Sequence, residues 1–144
     1  MKASIRNILK EKGSTVHSVP PDVSVLDALE MMADANIGAL VVMDGDRLAG
    51  IISERDYARK VILKGRSSHD TKVSEIMSSR VVCARPEQTV EACMGLMTAK
   101  AVRHLPVLEA GEVVGIVSIG DLVKAIIGEQ QLIIEQLESY IHGL

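Results

Sequence analysis

The chain has 144 residues, a formal net charge of −3, 47% apolar residues and only 1% aromatic residues. This length suits one compact domain or two small halves that share a core. The acidic balance and the lack of stacking aromatics argue against nucleic acid as a partner, and the lack of a long apolar run argues against a membrane span. Residues 1–12 carry no apolar secretory stretch, so the expected location is the cytoplasm.

The remaining chemistry-bearing residues do not suggest catalysis or a resident metal. Cys83 and Cys93 are too few for a disulfide framework and have no metal-ligand spacing with each other or with the four His. Both are expected to be small core residues. Because no Ser-His-Asp order, phosphate loop or metal cluster appears, we predict a protein that is not an enzyme and has no catalytic cofactor.

The first predicted element is a short helix, because Ile5, Ile8 and Leu9 have helical spacing and Gly13 can end the helix. An extended stretch at Thr15–Val19 comes next, and Ser24 then caps a second helix. The apolar face of that helix consists of Val25, Ala28, Leu29 and Met32.

Two apolar strands at Ala39–Met43 and Leu48–Ile52 complete the first half, with turn residues between them. A further helix begins near Glu54. The polar stretch Leu63–Lys72 has the composition of a linker between two halves.

The second half repeats the first at an offset of 65 residues, with no gap between residues 16–56 and 81–121. Ten pairs are identical: Val16/Val81, Pro21/Pro86, Val25/Val90, Met32/Met97, Leu40/Leu105, Val42/Val107, Gly50/Gly115, Ile51/Ile116, Ser53/Ser118 and Asp56/Asp121. Internal duplication follows, because a fixed period of this length marks repeated structural units.

The repeat predicts the same elements again: an extended stretch at Arg80–Ala84, a helix capped by Thr89, strands at Leu105–Leu108 and Val113–Val117, and a helix from Ile119. The predicted fold class is therefore α/β of the α+β type, with two β-α-β-β-α units that share one core because each alone buries little surface. The predicted order is an N-terminal helical extension (1–14), the first repeat (15–64), a linker with a lead-in helix (65–79), the second repeat (80–128) and a C-terminal helix (129–144).

The C-terminal helix carries an apolar stripe beyond the repeat, formed by Ile133, Ile134, Leu137 and Ile141. Apolar stripes rarely face water. Either the stripe folds back on its own chain or it meets another chain, and the sequence favours a partner.

The two best-matched segments are Gly50–Asp56 and Gly115–Asp121, each with a Gly, two branched apolar residues, a Ser and an Asp three positions later. One interpretation is structural, because Ser-x-x-Asp is close to a helix-capping pattern. The other is functional: a carboxylate beside a helix N-terminus can accept both hydroxyls of a ribose, and the free N–H groups favour a nearby phosphate.

With these two segments and Val102–Val107, the chain resembles the CBS domain family over about residues 12–128. The tandem pair looks like a Bateman module, in which two motifs pack by pseudo-twofold symmetry around two clefts. The resemblance implies a sensor of an adenine nucleotide (AMP, ADP, ATP or NAD) that signals to an unknown regulated protein and forms a homodimer. The alternative is a ligand-free scaffold that acts through its C-terminal helix.

The resemblance also implies roles for individual residues. Asp56 and Asp121 hold ribose hydroxyls, with Ser53 and Ser118 near the ribose or phosphate. The segments that hold the base consist of Met77, Ser78, Ser79 and Val81 for the Asp56 cleft, and of Ser14, Thr15, Val16 and His17 for the Asp121 cleft.

The two clefts are expected to differ in charge. Arg55, Arg103 and His104 are assigned to the Asp56 cleft, where they favour a phosphate. The Asp121 cleft has fewer cations of its own, although Lys12, Lys64 or Arg66 can reach it.

Overall fold

Each half of the chain folds around an antiparallel β-hairpin, as the repeat predicts. The structure, a computed structural model, describes residues 3–142; residues 1–2 and 143–144, the outer ends of the two predicted extensions, lie outside the described residues. The helices and strands are α1 (Ile5–Lys12), β1 (Ser18–Val19), α2 (Val25–Ala35), β2 (Ala39–Asp44), β3 (Arg47–Ser53), α3 (Glu54–Lys60), α4 (Val73–Ile76), α5 (Val90–Lys100), β4 (His104–Glu109), β5 (Glu112–Ser118) and α6 (Ile119–His142).

The chain forms two compact units. One, which we call the inner unit, is the continuous segment 16–81. The other, the outer unit, combines the residues before 16 with those after 81. The N-terminal extension therefore belongs to the same unit as the second repeat.

The inner unit contains a three-stranded sheet in the order β1-β2-β3. β1 pairs in parallel with β2, and β2 pairs antiparallel with β3. Helix α2 begins at Ser24, whose hydroxyl accepts a hydrogen bond from the Asp27 N–H, so the predicted cap is confirmed. Its predicted apolar face is also correct, because Val25, Ala28 and Met32 are buried in the core and Leu29 packs against them.

The outer unit repeats this arrangement with β4 and β5 as its hairpin. Thr89 caps α5 as predicted, and Val90, Cys93 and Met97 are buried. Cys93 is thus a core residue, and burial raises the pKa of its thiol, as it does that of the half-buried Cys83.

The predicted N-terminal helix is present as α1 and ends at Gly13 (φ 93°). Ile5 and Ile8 are buried in the core of the outer unit. Arg6 forms ion pairs with Glu87 and Glu109, which tie the start of α1 to this unit.

Two sequence expectations differ from the structure. The extended stretch Arg80–Ala84 forms no regular strand and contributes only one bridge, from Ala84 to Val107. The proposed linker Leu63–Lys72 is folded onto the inner unit: Thr71 is buried, and the carbonyls of Thr71 and Ser68 accept hydrogen bonds from the N–H groups of Val25 and Leu26. These bonds are accepted by backbone carbonyls, which the polar composition of the stretch does not reveal.

α4 covers β3 in the inner unit and α1 covers β5 in the outer unit, each at a glycine. A Cβ at Gly50 would lie 2.6 Å from Sδ of Met77 and 2.8 Å from the carbonyl oxygen of Ser78. A Cβ at Gly115 would lie 2.6 Å from a methyl carbon of Leu9. The covering segment therefore packs directly on the repeated glycine in both units, against a backbone oxygen at Gly50 and against a flexible side chain at Gly115.

No helix within residues 3–142 is both long enough and apolar enough to span a membrane.

We expect Gly50→Ala to lower the free energy of unfolding by about 1–3 kcal/mol, because the added methyl group meets a backbone oxygen that cannot move freely. Gly115→Ala should cost less, since its neighbour is the flexible end of Leu9. The matched control is Gly95→Ala in α5, where nothing lies within 4 Å of the new Cβ; there we expect stabilisation of up to about 1 kcal/mol from helix propensity. Urea unfolding of the three variants measures this, and equal losses at all three positions would contradict the packing explanation.

Candidate functional site

A reciprocal pair of hydrogen bonds links Ser53 and Asp56 where β3 turns into α3. The Asp56 N–H donates to Oγ of Ser53 at 3.2 Å, and the Ser53 N–H donates to Oδ2 of Asp56 at 2.9 Å. This is a capping box, with Asp in place of the usual Glu. Both residues are partly buried, so the carboxylate is held in one place at the first turn of the helix.

The outer unit has the same arrangement where β5 turns into α6. The Asp121 N–H donates to Oγ of Ser118 at 3.1 Å, and the Ser118 N–H donates to Oδ2 of Asp121 at 2.8 Å. The structural interpretation of the repeated Ser-x-x-Asp pattern is therefore confirmed. We call these two arrangements the inner cap (Ser53, Asp56) and the outer cap (Ser118, Asp121).

The Ser-x-x-Asp spacing alone does not distinguish these two caps from other helix starts in the chain. Ser24 and Asp27 have the same spacing, and Oγ of Ser24 accepts from the Asp27 N–H at 3.1 Å. Asp27 is exposed, however, and among the bonds described for α2 its carboxylate accepts none from the Ser24 N–H. The reciprocal bond thus separates the two repeated caps from an ordinary helix start.

Each cap carboxylate also binds a lysine ammonium. Nζ of Lys60 lies 3.2 Å from Oδ1 of Asp56 and donates to the carbonyl of Ile76 at 2.8 Å. Nζ of Lys12 donates to Oδ2 of Asp121 at 2.7 Å and to the carbonyl of Ile116 at 2.9 Å. The sequence suggested Lys12 as a cation near Asp121 but missed Lys60, although the i,i+4 spacing from Asp56 was a usable signal.

The surroundings of Asp121 determine its charge. Burial alone would raise its pKa, but the hydrogen bonds from Lys12 and from the Ser118 N–H outweigh burial and lower the pKa below its ordinary value. The carboxylate is therefore ionised at neutral pH, in the form that can accept hydrogen bonds from a ligand.

The inner unit contains most of the site residues assigned to the Asp56 cleft. Met77 and Ser78 lie against β3, where the Ile51 N–H donates to the Ser78 carbonyl at 3.0 Å and the Ser78 N–H donates to the Ile51 carbonyl at 2.9 Å. Arg55 lies exposed in the first turn of α3. Ser79, Val81, Val16 and His17 belong to the same unit, and their roles at a ligand stay predictions.

Arg103 and His104 lie beside the outer cap. His104 pairs with Ser118 across the hairpin, and the Arg103 carbonyl accepts from the Ile119 N–H at 2.9 Å. Thr15 belongs to the same unit. The assignment of Arg103 and His104 to the Asp56 cleft stays a prediction, whereas their backbone position next to Ser118 is established. Of the cations that the sequence suggested for the Asp121 cleft, Lys12 binds Asp121.

The repeated caps match a known sequence family. A family model described as the CBS domain matches residues 6–63 and again residues 73–128. The chain belongs to the CBS domain family. Each of the two matched segments contains one cap. The first segment also contains α1, which covers the hairpin of the second, and the second contains α4, which covers the hairpin of the first.

Relatives and solved structures agree with this assignment. The chain is 40% identical to the mitochondrial CBS domain-containing protein CBSX3 of Arabidopsis thaliana, over 97% of this chain and 72% of that protein. It is 49% identical to a putative signal-transduction protein with CBS domains from Burkholderia ambifaria, with a TM-score of 0.85 over 89% of this chain and 96% of that one. The CBS domain pair of protein MJ0100, solved with 5′-methylthioadenosine and S-adenosyl-L-methionine, has a TM-score of 0.80 over 90% of this chain and 99% of that one, at 24% identity.

The CBS repeats show no metal centre within residues 3–142, where no group of three His, Cys, Asp or Glu side chains could hold an ion.

We expect Lys12→Met to raise the pKa of Asp121, because the variant removes a charged hydrogen-bond donor. A carboxyl group whose pKa is lowered by folding stabilises the protein above its unfolded pKa of about 3.9, and this contribution is lost as the pH falls through the folded value. The variant should therefore be less stable at pH 7 and should lose less stability on acidification. Carboxyl NMR titration measures the pKa, and urea unfolding between pH 2 and 7 measures the stability. Lys10→Met, which changes an exposed lysine of the same helix, is the control. An unchanged pKa of Asp121 in Lys12→Met would contradict the assignment.

Proposed function

We propose that this protein is a regulatory module that binds an adenosine-containing ligand at its two Ser–Asp caps and signals through a ligand-dependent change of conformation. CBS domain pairs are regulatory modules that bind adenosine ligands. The finer assignment, to an adenine nucleotide and to these residues, is our proposal.

The observation that carries the proposal is the state of the two cap carboxylates. Each is ordered by the N–H of its own serine, is partly buried, and lies at a helix N-terminus. A ribose offers two vicinal hydroxyl donors, which suit an anionic acceptor fixed in advance, since little ordering is required on binding. In the outer cap the described bonds use Oδ2 of Asp121, so Oδ1 is the atom to which a ligand hydroxyl would donate.

The adenosine portion is also favoured by the nature of known ligands in a protein of this fold. The MJ0100 pair was solved with two molecules that share an adenosine group. At 24% identity that likeness concerns the fold, so the ligand class in this chain rests on the caps. AMP, ADP, ATP and NAD are the proposed ligands, because each combines this ribose with phosphate.

A binding module of this kind acts without chemistry of its own. A ligand that binds one conformation more tightly than another shifts the population toward it, by no more than the difference in affinity. A regulated protein then senses that shift. We place this activity in the cytoplasm, as the sequence suggested, although the Arabidopsis relative is described as mitochondrial.

We expect Asp56→Ala and Asp121→Ala each to weaken AMP binding at one site by about tenfold to a hundredfold, since each removes hydrogen bonds to a charged acceptor. Asp27→Ala is the matched control: it removes a carboxylate at the same Ser-x-x-Asp position of α2, outside the two caps, and should bind AMP like the original protein. Isothermal titration calorimetry measures the affinities, and circular dichroism confirms that each variant is folded. Binding by both cap variants that equals that of Asp27→Ala would refute the ribose assignment.

A second candidate function, a scaffold acting through α6, is favoured by one observation. From Ile127 onward the large apolar side chains of α6 are exposed, between 48% for Ile134 and 71% for Tyr140. We call this surface the tail face; it consists of Ile127, Leu132, Ile133, Ile134, Leu137, Tyr140 and Ile141. Their exposure supports contact with another chain rather than a fold back on the same chain, and we propose that a second copy of the chain covers them.

We expect light scattering to give about twice the monomer mass of 15.5 kDa. The double variant Leu137→Glu/Ile141→Glu should be monomeric, because two buried carboxylates would be strongly unfavourable in an apolar contact. The matched control, Gln136→Glu/Ser139→Glu, adds the same charge at polar positions of the same helix and should remain a dimer. A monomer in the unmodified protein at tens of micromolar, with or without AMP, would rule out the dimer.

A further inference from the structure

Both cap carboxylates bind a lysine ammonium that is held in addition by a backbone carbonyl. In the outer cap the carbonyl belongs to Ile116 of β5, and in the inner cap it belongs to Ile76 of α4. The two lysines are not equivalent in the repeat: Lys60 follows Asp56 by one turn of α3, whereas position 125, its equivalent in the second repeat, is Ala125. Lys12 comes instead from α1, 109 residues before Asp121.

The same chemical group therefore reaches each cap carboxylate by a different route and at a different oxygen, Oδ1 of Asp56 and Oδ2 of Asp121. Duplication does not explain this, because a duplicated helix would carry its lysine at the equivalent position. A capping box is complete without an ammonium, as the serine and aspartate already satisfy each other's N–H groups. The presence of an ammonium at both cap carboxylates therefore calls for another explanation.

Each ammonium keeps donor capacity for a ligand. A lysine ammonium has three N–H donors. The bonds described for Lys12 use two of them, with Asp121 and Ile116, and those described for Lys60 likewise use two, with Asp56 and Ile76. The side chains are 36% and 44% exposed, so water or a ligand can reach them.

The charge balance shows what such a ligand should be. An isolated carboxylate that accepts ribose hydroxyls would repel a phosphate on the same ligand, because the ribose that it binds also carries the phosphate and the two negative charges lie close together. An ammonium bonded to that carboxylate cancels the repulsion and offers its remaining donor to the phosphate. A neutral nucleoside gains nothing from this arrangement.

We propose that Lys12 and Lys60 are specificity-determining residues that make the outer and inner caps select phosphorylated adenosine ligands over neutral nucleosides. The proposal rests on the proposed function, since it concerns the same caps. It differs from the inequality between the clefts that the sequence predicts, because here both caps prefer a phosphate. The outer cap does so through a lysine supplied by the N-terminal helix.

The test compares AMP with adenosine at one cap at a time. Asp56→Ala leaves the outer cap as the site under study, and Lys12→Met is added to that variant; Asp121→Ala with Lys60→Met tests the inner cap. Calorimetry should show AMP affinity falling roughly tenfold on removal of the lysine, while adenosine affinity changes little. Lys12→Arg should restore most of the AMP preference, because it restores the positive charge.

Matched controls are Lys10→Met for the outer cap and Lys72→Met for the inner cap, since each is an exposed lysine in the same unit as its cap and is assigned to neither cleft. Equal weakening of AMP and adenosine by Lys12→Met would show a merely structural role and overturn the proposal. So would an unchanged ratio of the two affinities. If the original protein binds neither AMP nor adenosine, the proposed function itself fails, and with it the assignment of the lysines.

Discussion

In each unit, a serine and an aspartate exchange hydrogen bonds at the junction between the hairpin and the helix that follows it. This exchange ends the second strand of the hairpin, begins the following helix and fixes a charged oxygen at that junction. Because the serine and aspartate satisfy each other's backbone N–H groups, the junction can be partly buried without leaving a polar group unpaired. The ligand site that we propose at this point would therefore use a carboxylate that folding has already ordered and partly desolvated.

Because one aspartate would both cap a helix and bind a ligand, stability and binding are coupled at each cap. A residue that caps a helix and binds a ligand cannot be changed for one purpose without affecting the other. In the outer unit this coupling extends to a second helix, because Lys12 of α1 donates a hydrogen bond to the Asp121 carboxylate. The stability of the N-terminal helix and the state of the outer cap are thus thermodynamically linked, and a ligand that alters the bonds of Asp121 acts on α1 as well.

Local patterns made much of the fold predictable. The hairpins follow from apolar runs separated by turn residues, and the helix starts follow from Ser24, Thr89 and the two caps, because these signals act over a few residues. Contacts between distant segments were not predictable in the same way: nothing local links Lys12 to Ile116, or the polar stretch after Leu63 to the start of α2. Some backbone conformations were also not predictable from the residue type. Ala101 has a left-handed φ of 53°, which its repeat partner Asn36 adopts more readily than an alanine does.

The division of the outer unit between the two ends of the described chain also bears on how the protein folds. The inner unit is continuous, so its contacts can form as soon as its own 66 residues, 16–81, have been synthesised. The outer unit cannot: the N–H of Ala3 donates to Glu129, across 126 residues. Loop closure over such a distance is slow compared with local pairing. During translation α1 therefore cannot bury Ile5 and Ile8 in the outer unit until the second repeat has left the ribosome. The inner unit is the segment that can already be folded by then.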